Sequence, residues 1–294
     1  MSTELSETQK RLIKAIADQN GLTDYQVEAQ SGSKKGDNYF GIITSVSLKD
    51  KNKNIELIGK SAHSGEEFRK KTPIHAQYVR ESHLYESVLS EFKKFQEEYA
   101  IPNPFVGFPK RKFFLNIKKK KLMISYEKLA SINCKVNHKK YFLFFQDGSN
   151  TSKPTKVCLI DWQLAKLGSP AKDMIYFFIV HSPKDILYDY KGYLNFYYEV
   201  LCRHLRDFSC DPEDLFPFST LQKHWNKFLT FGLMISIMIL KMMLSDSEEA
   251  PDFEKLSDAS GDIFDSQNFS IKNESEYHRR VRDIIEFLVD SGLL

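Results

Sequence analysis

Leu5, Leu12, Ile13 and Ile16 recur at mixed three- and four-residue steps over residues 4–19 and are followed by Gly21. That spacing predicts a short amphipathic helix packed on the outside of what comes next. The period then drops to two. Ile42, Thr44, Val46 and Leu48 share one side of the run from Tyr39 to Leu48, and the polar stretch KDKNKN turns the chain into a second run, Ile55 to Ser61. Two antiparallel strands are expected there. Helical spacing returns over residues 74–99, with Tyr78, Tyr85, Val88, Leu89, Phe92 and Phe95 on one face, until Pro102, Pro104 and Pro109 break it. A hairpin is predicted from Tyr141 to Gln146, through a turn carrying Asp147 and Gly148, into Val157 to Ile160. Beyond Pro170 the pattern is helical, over about 171–181, 184–208, 218–244 and 274–291, with acidic loops at 211–214 and 246–258. Strands early and helices late predict an α+β protein in two lobes.

Composition narrows the class. The chain has 294 residues, 41% hydrophobic, with 23 Phe and 14 Tyr, which is ample material for packed cores and unlike a disordered chain. The net charge of +3 is too near balance to call for a polyanionic partner of the whole chain. Residues 110–140 differ, with eleven Lys/Arg and one acid, Glu127. They read as a nucleic-acid or acidic-membrane patch or, on the balance of total charge, as a solvated edge of the small lobe. No nucleic acid is therefore expected as a partner. Cys134, Cys158, Cys202 and Cys210 show neither metal-site nor disulfide spacing, and the first twenty residues lack the basic start and apolar run of an export signal. A reducing, cytoplasmic location is expected. The 17 apolar-rich residues from Phe228 to Leu244 include Gly232, Ser236 and Lys241 and fall short of the ~20 that cross a bilayer, so a buried core helix and no membrane span are predicted.

Two acidic residues stand out of pattern. Glu81 lies on the apolar face of the long helix, with Tyr85, Val88 and Phe92 at helical spacing beyond it, where an unpaired carboxylate is costly to desolvate. It needs a cation, and Lys60, alternating with Ile58 on the preceding strand, is placed to supply one. A strand lysine paired to a helix glutamate is the device by which protein-kinase-like folds hold the α- and β-phosphates of ATP; the plainer alternative is an ordinary half-exposed salt bridge. Asp161 follows four apolar residues, Val157 to Ile160, at the end of a strand. Such a carboxylate suits Mg²⁺, or simply caps a turn.

Taken together, GDNYFGIITSVSL (36–48), IELIGK (55–60), RESHLYESVLSEFKKFQ (80–96), CLIDWQLAKLGSPAKDMIYFF (158–178), YYEVLCRHLRDFSCDPEDLFPF (197–218) and the FGLMISIMIL and EEAPDFE runs resemble the ecdysteroid kinase-like family. That family, also called CHK kinase-like, is related to choline and aminoglycoside kinases, and the IDWQ…G.P..D..YF string is the most specific part of the likeness. The resemblance implies a protein-kinase-like two-lobed fold: a small, mainly β lobe with one long helix over residues 1–128, and a mainly α lobe, here incomplete, over 129–294. It implies ATP and Mg²⁺ as cofactors and a small-molecule hydroxyl substrate, steroid-like or choline-like, as phosphoryl acceptor. By the same resemblance residues 36–41 close over the phosphates, Lys60 binds them with Glu81 in support, and the backbone of Ile124, Ser125 and Tyr126 meets adenine. Asp161 would then be the metal ligand and Asp173 a structural residue capping the next helix.

One part of the pattern is broken. Kinases of this kind carry a catalytic Asp in a His-Gly-Asp segment and an Asn for metal five residues on. No such segment is present; Asn133 and His138 stand in the corresponding places, and neither an amide base nor a histidine magnesium ligand suits the chemistry. Asp161 follows Glu127 by only 34 positions, too few for the paired helices that hold a catalytic loop. No catalytic residue is assigned. Two outcomes are expected: a small-molecule kinase in which this chain is a splice form or incomplete gene product, or a truncated or inactive isoform that still binds nucleotide or ligand. Helices such as 228–244 would lose packing partners, so a poorly stable or aggregation-prone chain is also expected.

Overall fold

Ser6 starts the first helix by closing a reciprocal pair of hydrogen bonds: its side chain accepts from the Gln9 amide, and the Gln9 side chain accepts from the Ser6 amide at 2.8 Å. The computed structural model describes residues 4–32, 41–62, 69–70, 72–108, 111–117, 121–127, 142–146, 154–246, 248–249 and 269–294, the strands at 111–117, 121–127, 142–146 and 154–157 by their backbone. It divides into two compact units. The described parts of the first lie within Met1–Lys94 and Pro104–Ala165, and those of the second within Phe95–Asn103, Lys166–Ala250 and Gln267–Leu294.

In the first unit, α1 (Glu7–Gln19) lies on an antiparallel five-stranded sheet of order β1-β2-β3-β5-β4, formed by β1 (Gln26–Ser31), β2 (Ile42–Lys49), β3 (Asn54–Ser61), β4 (Arg111–Ile117) and β5 (Lys121–Glu127). Leu12, Ile13, Ile16 and Ala17 of α1 pack on Val46, Leu48, Ile55 and Leu57. The opposite pleat of β3, with Ile58 and Lys60, faces a second cluster built on α2 (Ile74–His83). Both faces of β3 are thus covered, as its two-residue alternation requires. Thr44, Val46 and Leu48 are buried as the alternation predicts, but Ile42, expected with them, is 46% exposed at the strand's beginning. β1, β4 and β5 have no counterpart among the strands read from sequence. β1 is an edge strand and almost wholly exposed, so its polar sequence carries no alternation to read. Part of the basic region forms β4, at the other edge, and β5.

The long helical pattern at 74–99 is interrupted. α2 runs into a π-helical turn, Leu84–Val88, and continues as α3 (Leu89–Glu98). Ile74, Tyr78, Glu81, Tyr85 and Leu89 form one buried stripe. The wide turn puts later residues out of phase with it, so Phe92 and Phe95, expected on the same face, are 57% and 46% exposed. β6 (Phe142–Gln146) and β7 (Pro154–Leu159) form the expected antiparallel hairpin. Its Asp147–Gly148 turn lies outside the described residues, as do most of the loop at 246–258 and residues 36–40 and 128–141.

The second unit is helical: α4 (Pro170–His181), α5 (Lys184–Tyr188), α6 (Tyr190–Asp207), α7 (Pro212–Leu215), α8 (Phe218–Leu244) and α9 (Glu274–Asp290). The stretch expected as one helix over 184–208 breaks at Asp189. A buried core joins Ile175 and Ile179 to Trp225, Leu229, Ile284 and Phe287. Arg280 donates to the Val180 and Ser182 carbonyls and so closes the end of α4. α8 spans the 218–244 expected from the pattern, 27 residues, and the stretch Pro212–Leu244, which contains the 17-residue apolar run, is long and apolar enough to cross a membrane by length and composition alone. Leu221, Trp225, Leu229, Gly232, Ser236 and Leu240 make a buried stripe, while Met234 and Ile237 are exposed. The expected core helix is therefore a core helix on one face.

Candidate functional site

Lys60 enters the interior because β3 presents Ile58 and Lys60 to the side covered by α2. Glu81 enters because it shares the stripe of Tyr78 and Tyr85. Their side chains, 5% and 1% exposed, meet at 3.1 Å between Lys60 Nζ and Glu81 Oε2. A third group completes the cluster: Lys60 Nζ stands 2.7 Å from Asp161 Oδ1, whose side chain is part-exposed. One ammonium lies between two carboxylates. Burial alone would lower the Lys60 pKa, but Glu81 and then Asp161 outweigh it and hold the ammonium above its ordinary range.

Asp161 is aimed by its backbone. After β7 ends at Leu159 the chain turns through Asp161 in the left-handed conformation, φ 63° and ψ 63°, into a short 3₁₀ turn, Trp162–Leu164. Aspartate tolerates that region better than most side chains, and a non-glycine residue held there is a recurrent feature of functional positions. Two contacts fix the turn. The Leu159 amide donates to the Gly107 carbonyl, and Arg80 donates to the Gln163 carbonyl at 2.9 Å. Arg80 precedes Glu81, so neighbouring residues of α2 hold both the lysine's partner and the turn that carries the second carboxylate.

The structure thus brings together Lys60, Glu81 and Asp161, three residues chosen from sequence. Ile124, Ser125 and Tyr126 lie on β5 directly beside them in backbone register: Ile124 opposes Lys60, Ser125 opposes Gly59 and Tyr126 opposes Ile58. Of residues 36–41 only Gly41 is described. Asn133 and His138 lie outside the described residues. Asp173 sits in the first turn of α4, but the cap is Ser169, whose side chain accepts from the Ala171 amide at 3.2 Å. Asp173 is therefore not the capping residue that was expected, although the helix does begin at Pro170. Its carboxyl is raised by desolvation.

Sequence reasoning missed Arg80 and Tyr78. Arg80's position next to Glu81 was a usable signal; Tyr78 read as one more aromatic of the apolar stripe. Tyr78 is wholly buried, its hydroxyl has no hydrogen-bond partner among the described residues, and the Lys60 ammonium lies 6.0 Å from its ring centroid. Burial first, and then the charges of Glu81 and Asp161, push its pKa well above the ordinary phenol value, so it is a neutral donor.

Chemically, the cluster can neutralise an anion through Lys60 and share a cation through Asp161. Among the described residues no group of three His, Cys, Asp or Glu side chains could hold a metal by itself. Mg²⁺ is commonly held by one or two carboxylates with water and phosphate oxygens, and Asp161 is a carboxylate of that kind.

Residues 142–210, about a quarter of the chain, match the Ecdysteroid kinase-like family. The matched stretch contains Asp161 and the turn that follows it, and ends before α8. No curated protein and no solved structure matches the chain.

Proposed function

We propose that this chain is a kinase-like small-molecule phosphotransferase that holds ATP at Lys60, Glu81 and Asp161 and directs its γ-phosphoryl group to a hydroxyl of a steroid-like or choline-like acceptor. The observation that carries the reading is the buried lysine clasped by a helix carboxylate on one side and a strand-end carboxylate on the other. In this reading Lys60 offsets the charge of the α- and β-phosphates, and Glu81, fixed in the stripe of α2, keeps the ammonium in place when Asp161 lets go of it. Asp161, the more exposed carboxylate, would hold Mg²⁺, which when bound neutralises charge on the phosphate oxygens. The backbone of Ile124 to Tyr126, beside β3, offers hydrogen-bonding groups to adenine. Residues 1–128 then form the small lobe and 129–294 what this chain has of the large one.

A second reading is favoured by one feature of the sequence. No His-Gly-Asp segment stands between Glu127 and Asp161, so no side chain is assigned to orient or deprotonate the acceptor hydroxyl. On that reading the chain binds nucleotide without turnover. Titration with ATP, with and without Mg²⁺, alongside a phosphoryl-transfer assay on sterol and choline-like alcohols separates the two. Saturable binding with transfer supports the kinase; saturable binding without transfer supports the second reading; absence of binding sinks both.

A further inference from the structure

Asp161 opens the short turn Trp162–Leu164, yet its carboxylate does not cap that turn. It is given to Lys60 Nζ at 2.7 Å instead. Something else must hold the chain there, because Asp161 lies in the left-handed region at φ 63°, which a residue other than glycine keeps only where its surroundings impose it. Ahead of Asp161 the anchor is the Leu159 amide on the Gly107 carbonyl. Beyond it the anchor is on α2: Arg80 donates through its guanidinium to the carbonyl of the buried Gln163 at 2.9 Å, and Trp162, between Asp161 and Gln163, packs on the cluster of Ile74, Tyr78, Tyr85 and Leu89.

Arg80 and Glu81 are consecutive. One turn of α2 thus grips Lys60 through Glu81 and the chain around Asp161 through Arg80, so the two carboxylates reach the ammonium as a unit. When Asp161 parts from Lys60 to meet a ligand, a backbone held on both sides limits the change to the rotation of one side chain. The carboxylate is then preorganised, and the ordering that weakens binding at a loose turn is already done.

We propose that Arg80 is a positioning residue of the Lys60 site: its hold on the Gln163 carbonyl fixes where Asp161 stands, and so sets how tightly the site takes a ligand that brings a divalent cation. That the ligand is a nucleotide with Mg²⁺ rests on the function proposed above; the hold on the turn does not.

The two tryptophans of the chain, Trp162 in the held turn and Trp225 in the helical unit, become separate reporters when replaced by 5-fluorotryptophan. Fluorine NMR of the full chain, with the Trp162 signal assigned through Trp162→Phe, is run on wild type, Arg80→Met and Arg80→Lys beside calorimetric titration with ADP in Mg²⁺ and in EDTA. Arg80→Met is expected to displace or broaden the Trp162 signal, to leave that of Trp225 in place, and to weaken ADP about ten-fold in Mg²⁺ but not in EDTA, the scale of one charge-assisted hydrogen bond. Arg80→Lys, which keeps a donor, is expected to recover part of both effects. Arg80→Gln takes the place of Arg80→Met should that variant not fold. A Trp162 signal unmoved by loss of the guanidinium overturns the proposal, as does an equal loss of ADP affinity with and without Mg²⁺. A displaced Trp162 signal in a protein whose wild type takes no ADP upholds the hold on the turn and overturns the nucleotide reading.

Discussion

The two units of this protein differ in what they bury beside their apolar side chains. The helical unit closes on Ile175, Ile179, Trp225, Leu229, Ile284 and Phe287, an apolar interior in which burial itself is the stabilising term. The sheet-bearing unit has apolar clusters under α1 and against α2. Against α2 it also buries Lys60 and Glu81, with Asp161 part-buried beside them. A buried ion pair seldom surpasses a well-packed apolar equivalent, because two desolvation penalties must be recovered from one attraction. The contrast teaches that the first unit gives up stability at one place, and that place is where chemistry should be sought.

The comparison can be broken most directly at its charged end. Lys60→Met leaves Glu81 buried without its lysine and is expected to cost about 3–5 kcal/mol in chemical denaturation while abolishing nucleotide affinity. A variant as stable as wild type that still binds nucleotide would show the cluster to be neither buried in effect nor functional. The counterpart in the helical unit is Gly232→Ala, whose new methyl group would collide with Ile175 and press on Ile179. About 1–3 kcal/mol of destabilisation is expected, with nucleotide affinity unaltered. A matched loss of affinity would mean that the two interiors are not independent.

Smaller effects sharpen the same contrast. Because Glu81 and Asp161 hold the Lys60 pKa above its ordinary value of 10.5, the stabilisation they give is complete below that pH and is lost as pH rises through the folded-state value. Unfolding midpoints should therefore fall in the alkaline range above 10.5 in wild type, and this component should be missing from Lys60→Met. The outer face of α8 exposes Met234 and Ile237, so the native chain is expected to bind an apolar-surface dye, and Met234→Lys to bind less of it. An unchanged signal would locate the dye elsewhere. Smallest of all, Lys184→Ala removes an exposed pair with Glu286 and should leave both melting temperature and binding where they are.

How much could be read beforehand depended on how local the cause was. The helices of the second unit were legible because apolar residues at three- and four-residue steps encode a buried stripe without reference to anything else; Leu221 to Leu240 of α8 is such a case. β1 was illegible because an exposed edge strand is held by backbone pairing with β2, and its side chains need no pattern. The π turn at Leu84–Val88 was invisible for a related reason, and with it the outward swing of Phe92 and Phe95. In the site, Glu81 declared itself by being charged on an apolar face, and Asp161 by ending an apolar strand. Tyr78 did not, since a tyrosine in an apolar stripe looks the same whether or not its hydroxyl is satisfied.

The amino-acid order alone determined the mixed α+β character, the buried stripes of the helices, the hairpin ending near Asp161 and the need of Glu81 for a cation, because each follows from side-chain period or from the desolvation of a charge within a few turns of chain. Only the tertiary structure decided that one lysine serves both carboxylates. Lys60 and Asp161 are a hundred positions apart, and what joins them is the pleat of β3, the packing of α2 and a left-handed turn after β7, none of which is encoded by either residue's neighbours.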